Sequence, residues 1–125
     1  MVIIDGYRKS WALRYIREAK DELKMSQKDS ESTDLIVDAA RKAQAAIYYS
    51  LGEPSSIEGI VNETTNATNG ASFVEDPILR CLVEIERTLK RMENQQVSSS
   101  AEALVEADEI VQIASQIVDL LTSGD

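Results

Sequence analysis

The chain has 125 residues, of which 43% are hydrophobic, and it contains two prolines and five glycines. A chain of this length and apolar content can build one core, so residues 1–125 are expected to form a single domain. Its net charge of −9 disfavours a free-standing nucleic-acid-binding protein, because phosphate contacts need concentrated Lys and Arg. No apolar run is long enough to cross a bilayer and no secretory signal begins the chain, which predicts a cytoplasmic protein without a membrane partner.

The residue types that are missing exclude several kinds of active site. The chain has no histidine, which excludes histidine-dependent triads, histidine metal sites and histidine acid–base catalysis. One cysteine cannot build a thiolate zinc site, and no glycine-rich phosphate-binding motif occurs. Cys81 falls within an apolar helical pattern, which favours a buried reduced thiol over a reactive nucleophile. We therefore predict no catalytic residue, no metal ligand and no cofactor.

The first predicted helix runs from near Asp5 or Gly6 to about Gln27. Its buried stripe consists of apolar residues three or four positions apart: Ala12, Ile16, Ala19 and Leu23. The remaining surface is locally basic, with Arg8, Lys9, Arg14, Arg17, Lys20 and Lys24. A solvated face with local ion pairs is favoured over a phosphate-binding surface as the explanation of these charges.

The second predicted helix begins near Ser32 or Thr33, because either hydroxyl can cap the first turn. It ends at Gly52, and Pro54 prevents its continuation. One face is rich in alanine, which allows a neighbouring helix to approach closely.

A short third helix is predicted from a capping box formed by Ser55 and Glu58. Residues 62–75 are polar and without helical periodicity. We therefore expect a loop there, with a role as a lid or as a partner-binding segment.

Asp76 and Pro77 predict the start of the fourth helix, since Asp caps well and Pro at the first helical position loses no needed amide. Its apolar seam consists of Ile78, Leu82, Ile85, Leu89 and Met92. The fifth helix is predicted over about residues 101–121 and has a wide apolar face. That width indicates either a central position or a surface covered by a second subunit, with the interface residues Ile110, Ile113, Ile117 and Leu121.

Two clusters offer ligand-binding chemistry. One combines basic and aromatic side chains that can hold and stack a nucleotide: Arg41, Lys42, Tyr48 and Tyr49. Core or interface packing is the favoured alternative for these tyrosines. The other consists of carboxylates on the last helix, which could bind Mg²⁺ with a matching pair on the preceding helix: Glu102, Glu106 and Glu109. No such pair is found, so a solvated acidic face is favoured.

Residues 15–23 (YIREAKDEL), 39–47 (AARKAQAAI) and 51–54 (LGEP) resemble the first two helices of HEPN-type domains, over about residues 8–55. These domains are small archaeal and bacterial helical bundles. The resemblance implies a four- or five-helix bundle that dimerises. Catalytic members of the family are metal-independent ribonucleases whose motif is an Arg, a short spacer and a His. Other members are inactive partners of minimal nucleotidyltransferases.

Arg80, Arg87 and Arg91 lie near the region expected for that motif, but no histidine follows them, so no catalytic residue is carried over. We predict an all-α fold, an antiparallel up-and-down four-helix bundle with an additional short helix. The expected function is a non-enzymatic helical interaction module, a homodimer and a HEPN-like partner of a nucleotidyltransferase. The alternative is a nucleotide-binding or nucleotide-processing helical protein that uses carboxylate-bound Mg²⁺.

Overall fold

The computed structural model describes residues 6–28, 33–67, 76–94 and 100–123. These residues form five helices: α1 (Gly6–Lys28), α2 (Thr33–Leu51), α3 (Pro54–Ala67), α4 (Pro77–Glu93) and α5 (Ser100–Thr122). No strand occurs within these ranges, which confirms the predicted all-α fold. None of the described helices is both long and apolar enough to cross a membrane.

Helix α2 is the centre of the structure, because it contacts each of the other four helices. Helices α1 and α5 pack extensively against α2 and also touch each other. Helices α3 and α4 pack against each other and against α2, whereas α4 and α5 meet only sparsely. The sequence left open whether α5 is central, and the structure gives that position to α2.

The alanine-rich face of α2 explains its central position. Four of its alanines are fully buried: Ala39, Ala40, Ala43 and Ala46. Because alanine projects only a methyl group, it lets the axes of neighbouring helices come close together at no cost in side-chain entropy. Ile36 and Ile47, also buried, fill the remaining volume.

Most residues of the apolar stripes of α1, α4 and α5 lie in the core. Ile78, at the start of the α4 seam, is 44% exposed. The buried members of the three stripes are Ala12, Ile16, Ala19 and Leu23 of α1; Leu82, Ile85, Leu89 and Met92 of α4; and Ala107, Val111, Ala114 and Val118 of α5.

The predicted start of α4 is confirmed at the level of its cap. The Oδ1 atom of Asp76 accepts hydrogen bonds from the backbone N–H groups of Ile78 (2.9 Å) and Leu79 (3.0 Å). These donors belong to the first turn of the helix, where no backbone acceptor is within reach. Pro77 occupies the first helical position, as expected.

The prediction for α3 is wrong at both ends. The helix begins at Pro54, and Glu53, not a Ser55–Glu58 capping box, accepts the backbone N–H of Ser56 (2.9 Å). The helix also continues to Ala67, so residues 62–67 are helical where a loop was expected. The polar side chains are compatible with a helix there, because the Thr65 hydroxyl donates a hydrogen bond to the backbone carbonyl of Val61, one turn earlier (2.7 Å). Residues 68–75 of the predicted loop lie outside the described residues.

Candidate functional site

The four predicted ligand-binding residues do not form one site. Arg41 and Tyr48 are seven positions apart and lie on the side of α2 that faces α3 and α4. Lys42 and Tyr49 are also seven positions apart and lie on the side that contacts α1. Adjacent helical residues are about 100° apart around the axis, whereas residues seven apart nearly coincide. The spacing in the sequence therefore predicts that Arg41 and Tyr48 lie on one side of α2 and that Lys42 and Tyr49 lie on another.

Arg41 anchors a hydrogen-bonded network between α2 and α4. Its Nε and Nη2 atoms donate to the two carboxylate oxygens of Glu93 at 2.8 and 2.6 Å, a bidentate pair. Its Nη1 donates to Oε1 of Glu86 (3.0 Å) and to Oε1 of Gln44 (2.8 Å). The Gln44 amide closes the network by donating to the same Glu86 oxygen (2.7 Å).

The network holds one charged side chain, that of Glu86, in a buried position at the contact between the two helices. Glu86 is 4% and Gln44 is 5% exposed. The hydrogen bond to Glu93 raises the pKa of Arg41 beyond its usual range and outweighs the effect of burial, which acts to lower it. The same contact lowers the pKa of Glu93. Both groups are therefore charged over the ordinary pH range and hold each other in place.

Lys42 links α2 to α1 on the other side. Its Nζ lies 3.2 Å from Glu18 and 3.3 Å from Glu22 of α1, and 3.4 Å from Asp38 of its own helix. Burial acts to lower the pKa of Lys42, but its contacts with the carboxyl groups of Glu18 and Glu22 raise it. Burial and the neighbouring carboxyl group of Asp38 raise the pKa of Glu22 to about 7. Lys42 thus lies against three carboxyl groups of the protein.

Tyr49 belongs to an aromatic cluster between α1 and α2. Its ring lies 5.7 Å from that of Tyr15 and stacks on that of Trp11 with the centroids 6.2 Å apart. Tyr7 continues the cluster as an edge contact of Trp11 and is 68% exposed. These contacts agree with the packing role favoured for Tyr49 in the sequence.

Tyr48 is 5% exposed and lines a cleft between α2, α3 and α4. Its hydroxyl is buried and has no hydrogen-bond partner among the described residues. Burial, together with the charges of Glu86 and Glu58, raises the pKa of Tyr48 above its ordinary value. The cleft, called the polar cleft below, has a volume of about 550 Å³ and is lined by Arg41, Gln44, Ala45, Tyr48, Glu58, Asn62, Asn66, Glu86 and Lys90.

A second cavity lies where α4 and α5 diverge. It has a volume of about 190 Å³ and combines an apolar floor with carboxylates. The thiol of Cys81, which is half-buried, lies there, and burial raises its pKa. We call this cavity the acidic-rimmed groove; its lining consists of Cys81, Glu84, Ile85, Thr88, Glu106, Glu109, Ile110 and Ile113.

The predicted interface residues of α5 differ in exposure. Ile110 is 4% exposed and belongs to the core, while Ile117 and Leu121 are half-buried. Ile113 is 39% exposed and lines the acidic-rimmed groove. Among these four residues, Ile113 therefore offers the most apolar surface to a partner.

The carboxylates of α5 are placed along one side of the helix. Glu106 pairs with Arg91 of α4 at 2.7 Å, and Glu109 lines the groove beside it. Within the described ranges, no group of three metal-ligating side chains is positioned to hold an ion.

The residues that form the hydrogen-bonded network with Arg41 were not identified from the sequence. Gln44, Glu86 and Glu93 were not singled out, although Glu86 and Glu93 are seven positions apart and so share a face of α4. No protein-family model, no curated protein and no solved structure matches this chain. The two cavities and their chemistry are therefore the basis for a functional conclusion.

Proposed function

We propose that this protein is a non-enzymatic helical interaction module, which binds a basic amphipathic helix of a partner protein in the acidic-rimmed groove. The observation that supports this function most directly is the groove itself: an apolar floor between two helices with three carboxylates along it. A helix laid into such a groove buries its apolar stripe and leaves its flanking charges at the rim.

The apolar surface extends beyond the groove along both helices. On α5, Leu120 lies seven positions after Ile113 and is 77% exposed. On α4, Ile78 lies seven positions before Ile85 and is 44% exposed. Residues seven apart lie on the same side of a helix, so each helix continues the floor with an uncovered apolar residue. An incoming helix several turns long can therefore be accommodated.

The charge of the rim favours a basic partner. Glu84 and Glu109 are exposed and form no ion pair among the described residues, and Glu106 binds Arg91 through one oxygen only. Lys or Arg residues flanking the apolar stripe of a partner would be attracted by these carboxylates, which increases the association rate and selects the partner. A second copy docked groove to groove would instead bring six carboxylates together.

We also propose the antiparallel up-and-down arrangement for α1, α2, α4 and α5, with α3 as the additional helix. Arg91, near the end of α4, pairs with Glu106 near the start of α5. Cys81, near the start of α4, lines the groove together with Ile113 further along α5. This order supports opposite directions for the two helices. Spin labels on Cys81 and Leu120→Cys should lie closer together than labels on Cys81 and Glu102→Cys; the reverse order would refute the arrangement.

The single cysteine of the chain provides a direct test of groove occupancy. Two synthetic amphipathic helices with the same apolar stripe, one flanked by Lys and one by Glu, are each mixed with the protein. The rate at which a small alkylating reagent modifies Cys81 is then followed by mass spectrometry. We expect the Lys-flanked helix to slow the modification, and this protection should decrease with added salt because the rim charges are screened.

Two variants distinguish specific binding in the groove from nonspecific hydrophobic association. Ile113→Asp places a charge on the groove floor and should weaken binding of the Lys-flanked helix by about tenfold or more. As the control, Ser10→Asp adds the same charge at an exposed position of α1, outside the groove and its extension along α5, and should leave binding nearly unchanged. Equal protection by both helices, or equal effects of both variants, would contradict the proposed function.

A homodimer is the second candidate, supported by the exposure of Val105 (60%) and Leu120 (77%) on α5. Sedimentation velocity at rising protein concentration measures it directly. A dimer that Leu120→Lys dissociates, and that Ser10→Lys at an exposed position of α1 leaves intact, would make a second copy the occupant of this surface. A monomer at every concentration would exclude the homodimer.

The HEPN resemblance implies a nucleotidyltransferase as the partner protein. If that partner binds the acidic-rimmed groove, its sequence should contain a basic amphipathic helix of the kind described above.

A further inference from the structure

The geometry points to a second binding site, the polar cleft between α2, α3 and α4, whose ligand is a small zwitterion of the free amino-acid class. The cleft is lined by residues of α2, α3 and α4, whereas the acidic-rimmed groove is lined by α4 and α5. It is therefore independent of the helix-docking function. Its volume of about 550 Å³ lies in the range of small-molecule sites.

Helix α3 turns a polar stripe towards the cleft. Glu58, Asn62 and Asn66 follow at intervals of four, so they lie on one side of the helix, and all three line the cleft. Val61, on the neighbouring side of α3, is fully buried in the core, and Ile57 packs against it. The apolar side of α3 therefore packs against the protein, and its polar stripe is left to border the cleft.

The base of the cleft is rigid. Arg41, Gln44 and Glu86 hydrogen-bond to one another at 2.7–3.0 Å, and the bidentate pair with Glu93 fixes the guanidinium group. Glu86 and Gln44 are more than nine-tenths buried. A base whose side chains are already held in place loses little conformational entropy when a ligand binds.

Three groups of the lining retain unused binding capacity. The buried hydroxyl of Tyr48 has no partner among the described residues, and a buried unpaired hydroxyl is costly unless a ligand or water pairs with it. Lys90 of α4 and Glu58 of α3 form no ion pair within the four described segments. These two groups offer one positive and one negative charge from different helices.

The charge balance of the lining selects the class of ligand. Arg41 and Lys90 contribute two positive charges, and Glu58 and Glu86 contribute two negative charges. An amino-acid zwitterion matches this balance: its carboxylate accepts hydrogen bonds from Lys90 and Tyr48, and its ammonium group donates to Glu58. A nucleotide matches it poorly, since its phosphates would lie near two carboxylates.

The test is a titration of the full-length, isotope-labelled protein followed by backbone amide NMR spectra. The probes are a panel of free L-amino acids, the N-acetyl and carboxamide derivatives of each, and ADP with and without Mg²⁺. We expect at least one free amino acid to shift the amide signals of residues that line the cleft. Blocking either end of that amino acid should weaken binding by about tenfold or more, because one charge-assisted contact is lost.

Three variants identify the contacts. Lys90→Gln and Glu58→Gln should each weaken binding of the free amino acid about tenfold, and Tyr48→Phe should weaken it by a smaller factor. Glu63→Gln, at an exposed position on α3 outside the lining, is the matched control and should leave binding unchanged. Three outcomes would overturn the assignment: no shift with any amino acid, equal binding of the blocked derivatives, or binding of ADP in the cleft instead.

Discussion

The two sides of α2 are built differently. Towards α1, the stripe Ala39–Lys42–Ala46–Tyr49 alternates buried alanines with two longer side chains whose partners lie on α1. Towards α3 and α4, the stripe Arg41–Gln44–Tyr48 carries long polar side chains and borders the polar cleft. Small residues let helices approach until no cavity remains between them, whereas long polar side chains hold helices apart. The polar cleft therefore lies on the α3–α4 side of α2, and the acidic-rimmed groove lies where α4 in turn meets α5 only sparsely.

The largest difference in the free energy of unfolding is expected between a core truncation in the packed centre and one beside the acidic-rimmed groove. Ile47 is fully buried in the tightly packed centre, so Ile47→Ala should reduce the free energy of unfolding by about 4 kcal/mol. Ile85 is also buried but lines the acidic-rimmed groove. Its replacement by alanine should cost about 2 kcal/mol, at the lower end of the range for such changes. Urea unfolding measures both, and an equal or larger cost for Ile85→Ala would contradict the comparison.

The next largest difference in the free energy of unfolding is expected between variants that remove Arg41 on one side of α2 and Lys42 on the other. Arg41→Met leaves Glu86 buried without a charged partner, so we expect a loss of about 3 kcal/mol. At pH 6, Lys42→Met removes a cation whose partners Glu18 and Asp38 are substantially exposed. Its third partner, Glu22, is less exposed but holds a proton below about pH 7, so the change should cost about 1 kcal/mol or less.

The double variant Arg41→Met, Glu86→Gln checks the cause of the first effect. If the cost of Arg41→Met comes from the uncompensated charge of Glu86, the double variant should recover part of the lost stability. A double variant less stable than Arg41→Met alone would show that the arginine acts mainly through its packing.

The pH dependence of stability should show the smallest effect, from the carboxyl pair on the α1 side. Burial and the neighbouring Asp38 raise the pKa of Glu22 to about 7 from the ordinary value of 4.5. Between these pH values the folded state holds a proton that the unfolded state has released. The free energy of unfolding should therefore fall as the pH rises from 4.5 to 7, by about 1–2 kcal/mol, which is less than the full shift implies because solvent screens the charge of this partly exposed group.

Chemical denaturation at several pH values tests this slope. Glu22→Gln should remove the decrease, because the amide does not titrate, while Asp21→Asn at an exposed neighbouring position should retain it. Below pH 4.5 the slope should reverse, since the pKa values of Glu18 and Glu93 are lowered by their hydrogen bonds to Arg14 and Arg41. A decrease that persists in Glu22→Gln would assign the effect to another group.

Much of the fold was determined by the sequence itself. The stripe Ala12–Ile16–Ala19–Leu23 and the Asp76–Pro77 cap are visible in the sequence, and both are found as expected. The reason is that helical periodicity and capping depend on residues a few positions apart. The error at α3 has a local cause as well. The threonines favoured a loop prediction for residues 62–67, but their hydroxyl groups donate hydrogen bonds to backbone carbonyls of the same helix.

Only the tertiary structure decided which residues share a site. Arg41 and Lys42 are neighbours in the sequence, yet one reaches Glu93 and the other Glu18, because α4 and α1 lie on different sides of α2. The separation of α4 from α5 that leaves Ile113 uncovered is equally invisible in either helix alone. The periodicity of apolar residues indicates which face of a helix avoids water. It does not indicate which helix covers that face or how much space remains between the two helices, because both depend on the side-chain sizes of all five helices together.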